Sequence, residues 1–147
     1  MRELPGQLSV EQLVELFEGR TRFVELLAAL DDPLGRAHDV AASLSDDEKK
    51  EVLDAHPAIG ERKKKLSARS AREQGDAADR ETYAELKRLN AEYEDRFGFR
   101  FVVFVNGRPK RELLPVLRER LGRTREEELA TALEELVSIA LDRWRRG

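Results

Sequence analysis

The chain has 147 residues, 40% of them apolar and 39% charged, with a net charge of −3 and no cysteine. That length buries a hydrophobic core without cross-links, and the missing thiols exclude disulfides, cysteine nucleophiles and thiolate metal sites while fitting a reducing compartment. Met1-Arg2-Glu3-Leu4-Pro5-Gly6 lacks the apolar core of a signal peptide, no run approaches the ~18 apolar residues of a membrane span, and the charge balance is not a nucleic-acid binder's. The two basic clusters, Arg62-Lys63-Lys64-Lys65 and Arg143-Trp144-Arg145-Arg146, read as solvated faces. The expectation is a cytoplasmic globular protein with no nucleic-acid or membrane partner.

Ser9 followed by Gln12 has the spacing of a capping box and predicts a helix through Leu13, Leu16 and Phe17, closed by Gly19. Phe23, Leu26, Leu27 and Leu30 repeat at helical spacing until Asp31-Asp32-Pro33, and a further helix covers residues 34–43. Ser45 with Glu48 is a second capping box, opening a helix that carries Val52 and Leu53 toward His56-Pro57. A long helix follows from about residue 79, with Tyr83, Leu86, Asn90, Tyr93 and Phe97 three and four apart, and Gly98 stands where a helix-ending glycine belongs. Residues 99–105 are β-branched and aromatic and read as one short extended segment. Asn106-Gly107 turns the chain, a helix begins near Pro109, and Thr124 with Glu127 caps a final helix through Leu129, Leu133, Leu136, Val137 and Ala140. The fold class is therefore all-α: a single domain over residues 1–147, with about seven helices and one extended segment. A lone extended segment has no sheet to join, so its backbone groups must find side chains, water or a ligand.

Candidate chemistry is sparse. His38 lies inside a helix with no pattern around it and reads as a surface or packing residue. His56 precedes proline, which pushes it out of the helical region and puts it at a helix C-terminus. There the helix dipole favours the protonated imidazole, which can hold a carboxylate or donate a proton; a plain cap is the equal alternative. Ser70, Glu73 and Gln74 form either a capping box or a polar patch suited to a urea-like ligand with alternating N–H and C=O groups. Asn90 reads as a helix-to-helix hydrogen-bonding residue. Two distant histidines and no cysteine give no metal-ligand spacing.

These pieces in order resemble the 2-oxo-4-hydroxy-4-carboxy-5-ureidoimidazoline (OHCU) decarboxylase family over nearly the whole chain. The resemblance rests on His56-Pro57, Ser70-x-x-Glu73-Gln74, the block Leu89-Asn90-x-x-Tyr93-x-x-Arg96-Phe97-Gly98-Phe99-x-Phe101, the run around Thr131-Ala132-Leu133-Glu134-Glu135 and, more weakly, Phe17-Glu18. It implies an all-helical fold, no cofactor, a small ureidoimidazoline substrate, a homodimer, and the last step from urate to (S)-allantoin. It further implies that His56 and Glu73 are catalytic, that Pro57, Ser70, Glu73 and Gln74 surround the ligand, and that Phe101, Val102, Val103, Phe104 and Val105 offer backbone contacts. The family usually carries arginine just after the extended segment, where this chain has Asn106, so Arg108 becomes the candidate for the substrate carboxylate. Position 100 is arginine where proline is usual. A paralogous enzyme acting on a related ureido acid, or a helical binding domain without turnover, are the other readings.

Overall fold

Short-range backbone chemistry sets most of the helix ends. The computed structural model describes residues 3–59 and 80–147. Among them are seven α-helices: α1 (Val10–Phe17), α2 (Arg22–Ala28), α3 (Ala37–Ser43), α4 (Asp46–Asp54), α5 (Arg80–Phe97), α6 (Lys110–Leu121) and α7 (Arg125–Arg146). All three capping boxes form, with Ser9, Ser45 and Thr124 each accepting from the backbone N–H three residues on while that residue's side chain reaches back. Reciprocal caps of this kind satisfy two otherwise orphaned N–H groups at once.

Two boundaries differ from the sequence expectation. The third helix starts at Ala37, because Asp32 takes a left-handed φ of 51° and residues up to Arg36 close a turn instead. Glu18, with φ 68°, ends α1 in place of Gly19. Gly19 serves packing: a Cβ there would stand 3.2 Å from Ala55 Cβ, so glycine lets the end of α1 lie against the end of α4. That approach brings Glu18 into the surroundings of His56.

α7 is the spine, packing on α1, α3 and α4, while α2 contacts α1, α3 and α4 and α5 pairs with α6. The core is apolar and aromatic: Leu13, Phe17, Phe23, Leu27, Leu53, Leu86, Tyr93, Phe99, Phe101, Leu113 and Leu117 are essentially inaccessible. Phe17 meets Phe23 edge-to-face at 5.0 Å and Tyr93 meets Phe101 at 5.2 Å, geometries that add about 0.5–1.5 kcal/mol per pair beyond area burial.

Residues 99–105 run extended between α5 and α6 and form no strand. Gly98, at φ 80°, lets the chain leave α5, and Asn106 and Gly107, at φ 49° and 75°, return it to α6. Several of the segment's backbone groups go to charged side chains. Arg100 N–H donates to Asp54 at 2.9 Å and Phe104 N–H to Glu135 at 3.3 Å. Arg120 donates to the Val102 carbonyl at 2.8 Å, and Arg108 to the carbonyls of Phe104 (2.7 Å) and Val105 (3.0 Å).

Candidate functional site

The site is built where α4 ends. Pro57 cannot continue a helix and biases His56 away from helical backbone, so α4 stops at Asp54 and His56 N–H closes the last turn on the Leu53 carbonyl at 3.2 Å. Two side chains fix the loop beyond. Arg100 donates to the His56 carbonyl at 2.6 Å, and Asn90, buried on α5, donates to the Ile59 carbonyl at 2.9 Å. Asn90 thus ties a helix to the His-Pro loop and not to another helix. Because Ile59 offers only an oxygen, the Asn90 amide must point its NH₂ there.

His56 itself is 4% exposed. Among the described residues its buried Nε2 has no hydrogen-bond partner, and neither has the buried Oδ1 of Asn90. Both atoms can accept a hydrogen bond, Nε2 when the imidazole is neutral with its proton on Nδ1 and Oδ1 as an amide oxygen.

At His56 burial outweighs the helix dipole. Burial pushes its pKa down from 6.5 to about 3, with Arg143 adding to the shift, Glu18 opposing it and Arg100 adding again. The imidazole is neutral because loss of hydration outweighs the half-charge of one short helix end. Glu18 and Arg143 face it as an ion pair at 2.9 Å, and Arg143 also donates to the carbonyls of Leu16 (3.1 Å) and Glu15 (3.3 Å) at the end of α1. Arg143 is only 2% exposed. The terminal basic cluster is therefore not a uniform solvated face: Arg143 follows Leu136 and Ala140 by seven and three positions, which puts it on the buried stripe of α7, while Arg145 and Arg146 are exposed.

Neutral burial makes stability depend on pH. Unfolding returns the imidazole to a pKa near 6.5, so between that value and about 3 the unfolded chain holds a proton the folded chain lacks. The contribution is complete above pH 6.5 and shrinks as pH falls toward 3; at pH 5 the loss is on the order of 2 kcal/mol. Denaturant titrations at pH 7.5 and 5.0 should show wild type losing about that much more than His56→Asn. Equal losses would mean that the folded protein protonates His56 freely.

Of the other expected site residues, Pro57 is half-buried beside His56, whereas Ser70, Glu73 and Gln74 lie outside the described residues. The extended segment reaches the same region through Arg100. Among Phe101–Val105, the carbonyls of Val102, Phe104 and Val105 and the amide of Phe104 are already engaged, while the backbone groups of Phe101 and Val103 have no partner among the described residues. Arg108 is half-buried and directs Nε and one terminal nitrogen to the segment's own carbonyls; Asn106 is exposed at the turn. His38 is exposed on α3. Among the described residues no group of three or more metal-ligating side chains occurs.

Arg100, Asn90, Glu18 and Arg143 were not foreseen as parts of this site. Glu18 carried a signal through Phe17-Glu18, Asn90 through the Leu89-Asn90 block and Arg100 as a departure from proline, but none of these signals pointed to His56. Arg143, read as part of a solvated face, declares itself only when α1, α4 and α7 meet.

Comparison with known proteins identifies the family. The family model for OHCU decarboxylase matches residues 3–145. The chain is 31% identical to the 2-oxo-4-hydroxy-4-carboxy-5-ureidoimidazoline decarboxylase of Amia calva over 95% of its own length and 89% of that protein's. It is 30% identical, again over 95% of its length, to the uric acid degradation bifunctional protein PucL of Bacillus subtilis, of which it spans 30%. A crystal structure of OHCU decarboxylase in the presence of (S)-allantoin superposes with a TM-score of 0.76 at 22% identity, covering 92% of this chain and 96% of that one, which shows the shared fold. By sequence match along almost its whole length and by fold, the chain belongs to the OHCU decarboxylase family.

Proposed function

We propose that this chain is a carboxy-lyase that converts 2-oxo-4-hydroxy-4-carboxy-5-ureidoimidazoline to (S)-allantoin and CO₂ without a cofactor, with His56 as the proton shuttle. The observation that carries this reading is the neutral, buried imidazole of His56, whose Nε2 has no hydrogen-bond partner among the described residues. In the substrate the carboxylate leaves a carbon that bears a hydroxyl and adjoins a C=N bond. As the C–CO₂ bond breaks, its electron pair forms a C=C bond to the ureido-bearing carbon, and the imine π pair moves onto nitrogen, which takes a proton from solvent. The hydroxyl then gives up its proton and the ureido-bearing carbon gains one, leaving a carbonyl and a new C–H. One carboxylate and one proton become allantoin and CO₂.

A neutral imidazole suits the first half of that transfer, because it can accept the hydroxyl proton. Its low basicity in the free protein is corrected by the substrate: an anionic carboxylate next to the ring favours the imidazolium and raises its pKa toward neutrality. The shuttle is then poised for both directions, a contribution typically worth ~10²–10⁴-fold. Glu73 and Gln74, with Ser70 and Pro57, would hold the ureido group so that the proton arrives on one face, and Arg108 would neutralise the leaving carboxylate. In this reading the chain works as a cytoplasmic homodimer on a small molecule alone, without nucleic acid or membrane; among the described residues no helix is long and apolar enough to cross a membrane.

The test generates the unstable substrate in place from urate with a urate oxidase and a hydroxyisourate hydrolase, then follows allantoin by circular dichroism. Addition of this protein should produce a fast chiral signal above the blank. An unaccelerated, achiral product would end the reading and turn the search to other ureido acids.

A further inference from the structure

We propose that Arg100 is a positioning residue that holds the imidazole of His56 in register with the substrate by clamping the His56 main-chain carbonyl; the assignment rests on His56 being the catalytic group. Three bonds define the clamp. One terminal nitrogen of Arg100 donates to the His56 carbonyl at 2.6 Å, its Nε donates to Glu94 at 3.2 Å, and its main-chain N–H donates to Asp54 at 2.9 Å. One residue thereby joins the end of α4, the end of α5 and the extended segment.

The arrangement goes beyond what is needed to end a helix. The last turn of α4 is already closed by His56 N–H on the Leu53 carbonyl, and Asp54 accepts from the Arg100 main chain, so any residue except proline keeps that link. The guanidinium adds a hold on the one carbonyl that shares a Cα with the imidazole. A planar fork with fixed nitrogens can grip Glu94 and the carbonyl together, which limits rotation of the His56 backbone. Asn90 grips Ile59 three residues on, so the loop carrying His56 is pinned at two carbonyls. A side chain with two torsions on a backbone fixed this way has few positions available, and catalytic groups lose rate steeply when displaced by even an ångström.

Among the described residues the charged groups facing His56 are Glu18 at the end of α1, Arg143 on α7 and Arg100 on the extended segment. Only the last also bonds to its backbone. Arg100 is half-buried, with 26% of its side chain accessible, so its replacement opens no core cavity.

The experiment compares wild type, Arg100→Gln, Arg100→Lys and His56→Asn in the chiral allantoin assay, with imidazole-¹⁵N-labelled protein observed by NMR. The chain has only two histidines, and His38 is exposed while His56 is buried, so the signals separate. Arg100→Gln should keep the far-ultraviolet dichroism of wild type and lower kcat by about 10–100-fold, with KM changed by less than about threefold. Its His56 signals should shift, and protonation should begin at higher pH because one nearby cation is gone. Arg100→Lys should recover part of kcat, since an ammonium reaches one acceptor well but not two in a fork. Wild-type kcat in Arg100→Gln overturns the proposal, as does a loss of activity with unmoved His56 signals, which would indicate a structural role only. Full turnover in His56→Asn removes instead the reading on which the proposal rests, and would be recognised by that variant alone.

Discussion

Replacing His56 with asparagine or glutamine is expected to cost about 10²–10⁴ in kcat while leaving the helical fold in place, because either amide can hydrogen-bond but neither can carry a proton. Asparagine carries its NH₂ near the position of Nδ1 and glutamine near that of Nε2, so the pair separates loss of a hydrogen bond from loss of a base. If hydrogen bonding were the whole contribution of His56, one of the two would retain most of the rate. The wild-type pH profile gives an independent reading. With the free imidazole held near 3, kcat/KM should stay level from pH 8 down to about 5, since that ratio reports ionisations of the free protein. A limb at pH 6.5, where a solvated histidine titrates, would show that Nε2 is hydrated before substrate arrives and would contradict the buried geometry.

What was legible in the sequence follows a physical divide. Capping boxes at Ser9, Ser45 and Thr124, the glycine after α5 and the Asn106-Gly107 turn depend on backbone geometry within a few residues, and each formed where expected. The extended, strandless segment was legible for the same reason. Gly19 was misread because its reason for being glycine is Ala55, thirty-six positions away. Arg143 was placed among solvated charges because neighbours in sequence differ in burial on a helix, and its partners at the end of α1 are more than a hundred residues distant. The charge state of His56 was not legible because a helix dipole is a local quantity whereas desolvation is set by the whole fold. His56 and Pro57 could be named in advance; what surrounds them could not.

The same divide explains how an extended segment survives inside a helical protein. Bare carbonyls are costly in an apolar interior, and no strand among the described residues supplies donors, so arginines take that place at Val102, Phe104 and Val105. Burying guanidinium groups then requires a buried carboxylate. Glu128 provides it: fully inaccessible on the first turns of α7, it accepts from Arg120 at 2.7 Å, from Arg123 at 2.9 Å and from the Tyr93 hydroxyl at 2.6 Å. Arg120 lies over the Phe101 ring, 4.5 Å from its centroid, and passes the connection on to the Val102 carbonyl. Burial, with the bond to Glu128, pushes the Tyr93 phenol well above its usual value, so it stays protonated and donates.

Glu128→Ala should therefore be the most destabilising single change outside the apolar core, at about 3–5 kcal/mol, because it leaves the Arg120 cation buried without a counter-charge. For a domain of this size that corresponds to a fall in Tm of roughly 10–15 °C. The cost should arise from the stranded charge more than from the lost contacts, and a double variant distinguishes the two. Glu128→Leu combined with Arg120→Met removes both charges at similar volume, and buried ion pairs replaced in this way are often neutral or better. The double variant should therefore regain most of the stability that Glu128→Ala loses, although the Val102 carbonyl and the Tyr93 hydroxyl then lack their partners and the partly exposed Arg123 its counter-charge, which keep recovery incomplete. Urea titrations of the two variants decide the matter. A double variant less stable than Glu128→Ala would mean that the hydrogen bonds to Val102 and Tyr93, and not the balance of buried charge, hold the extended segment in the fold.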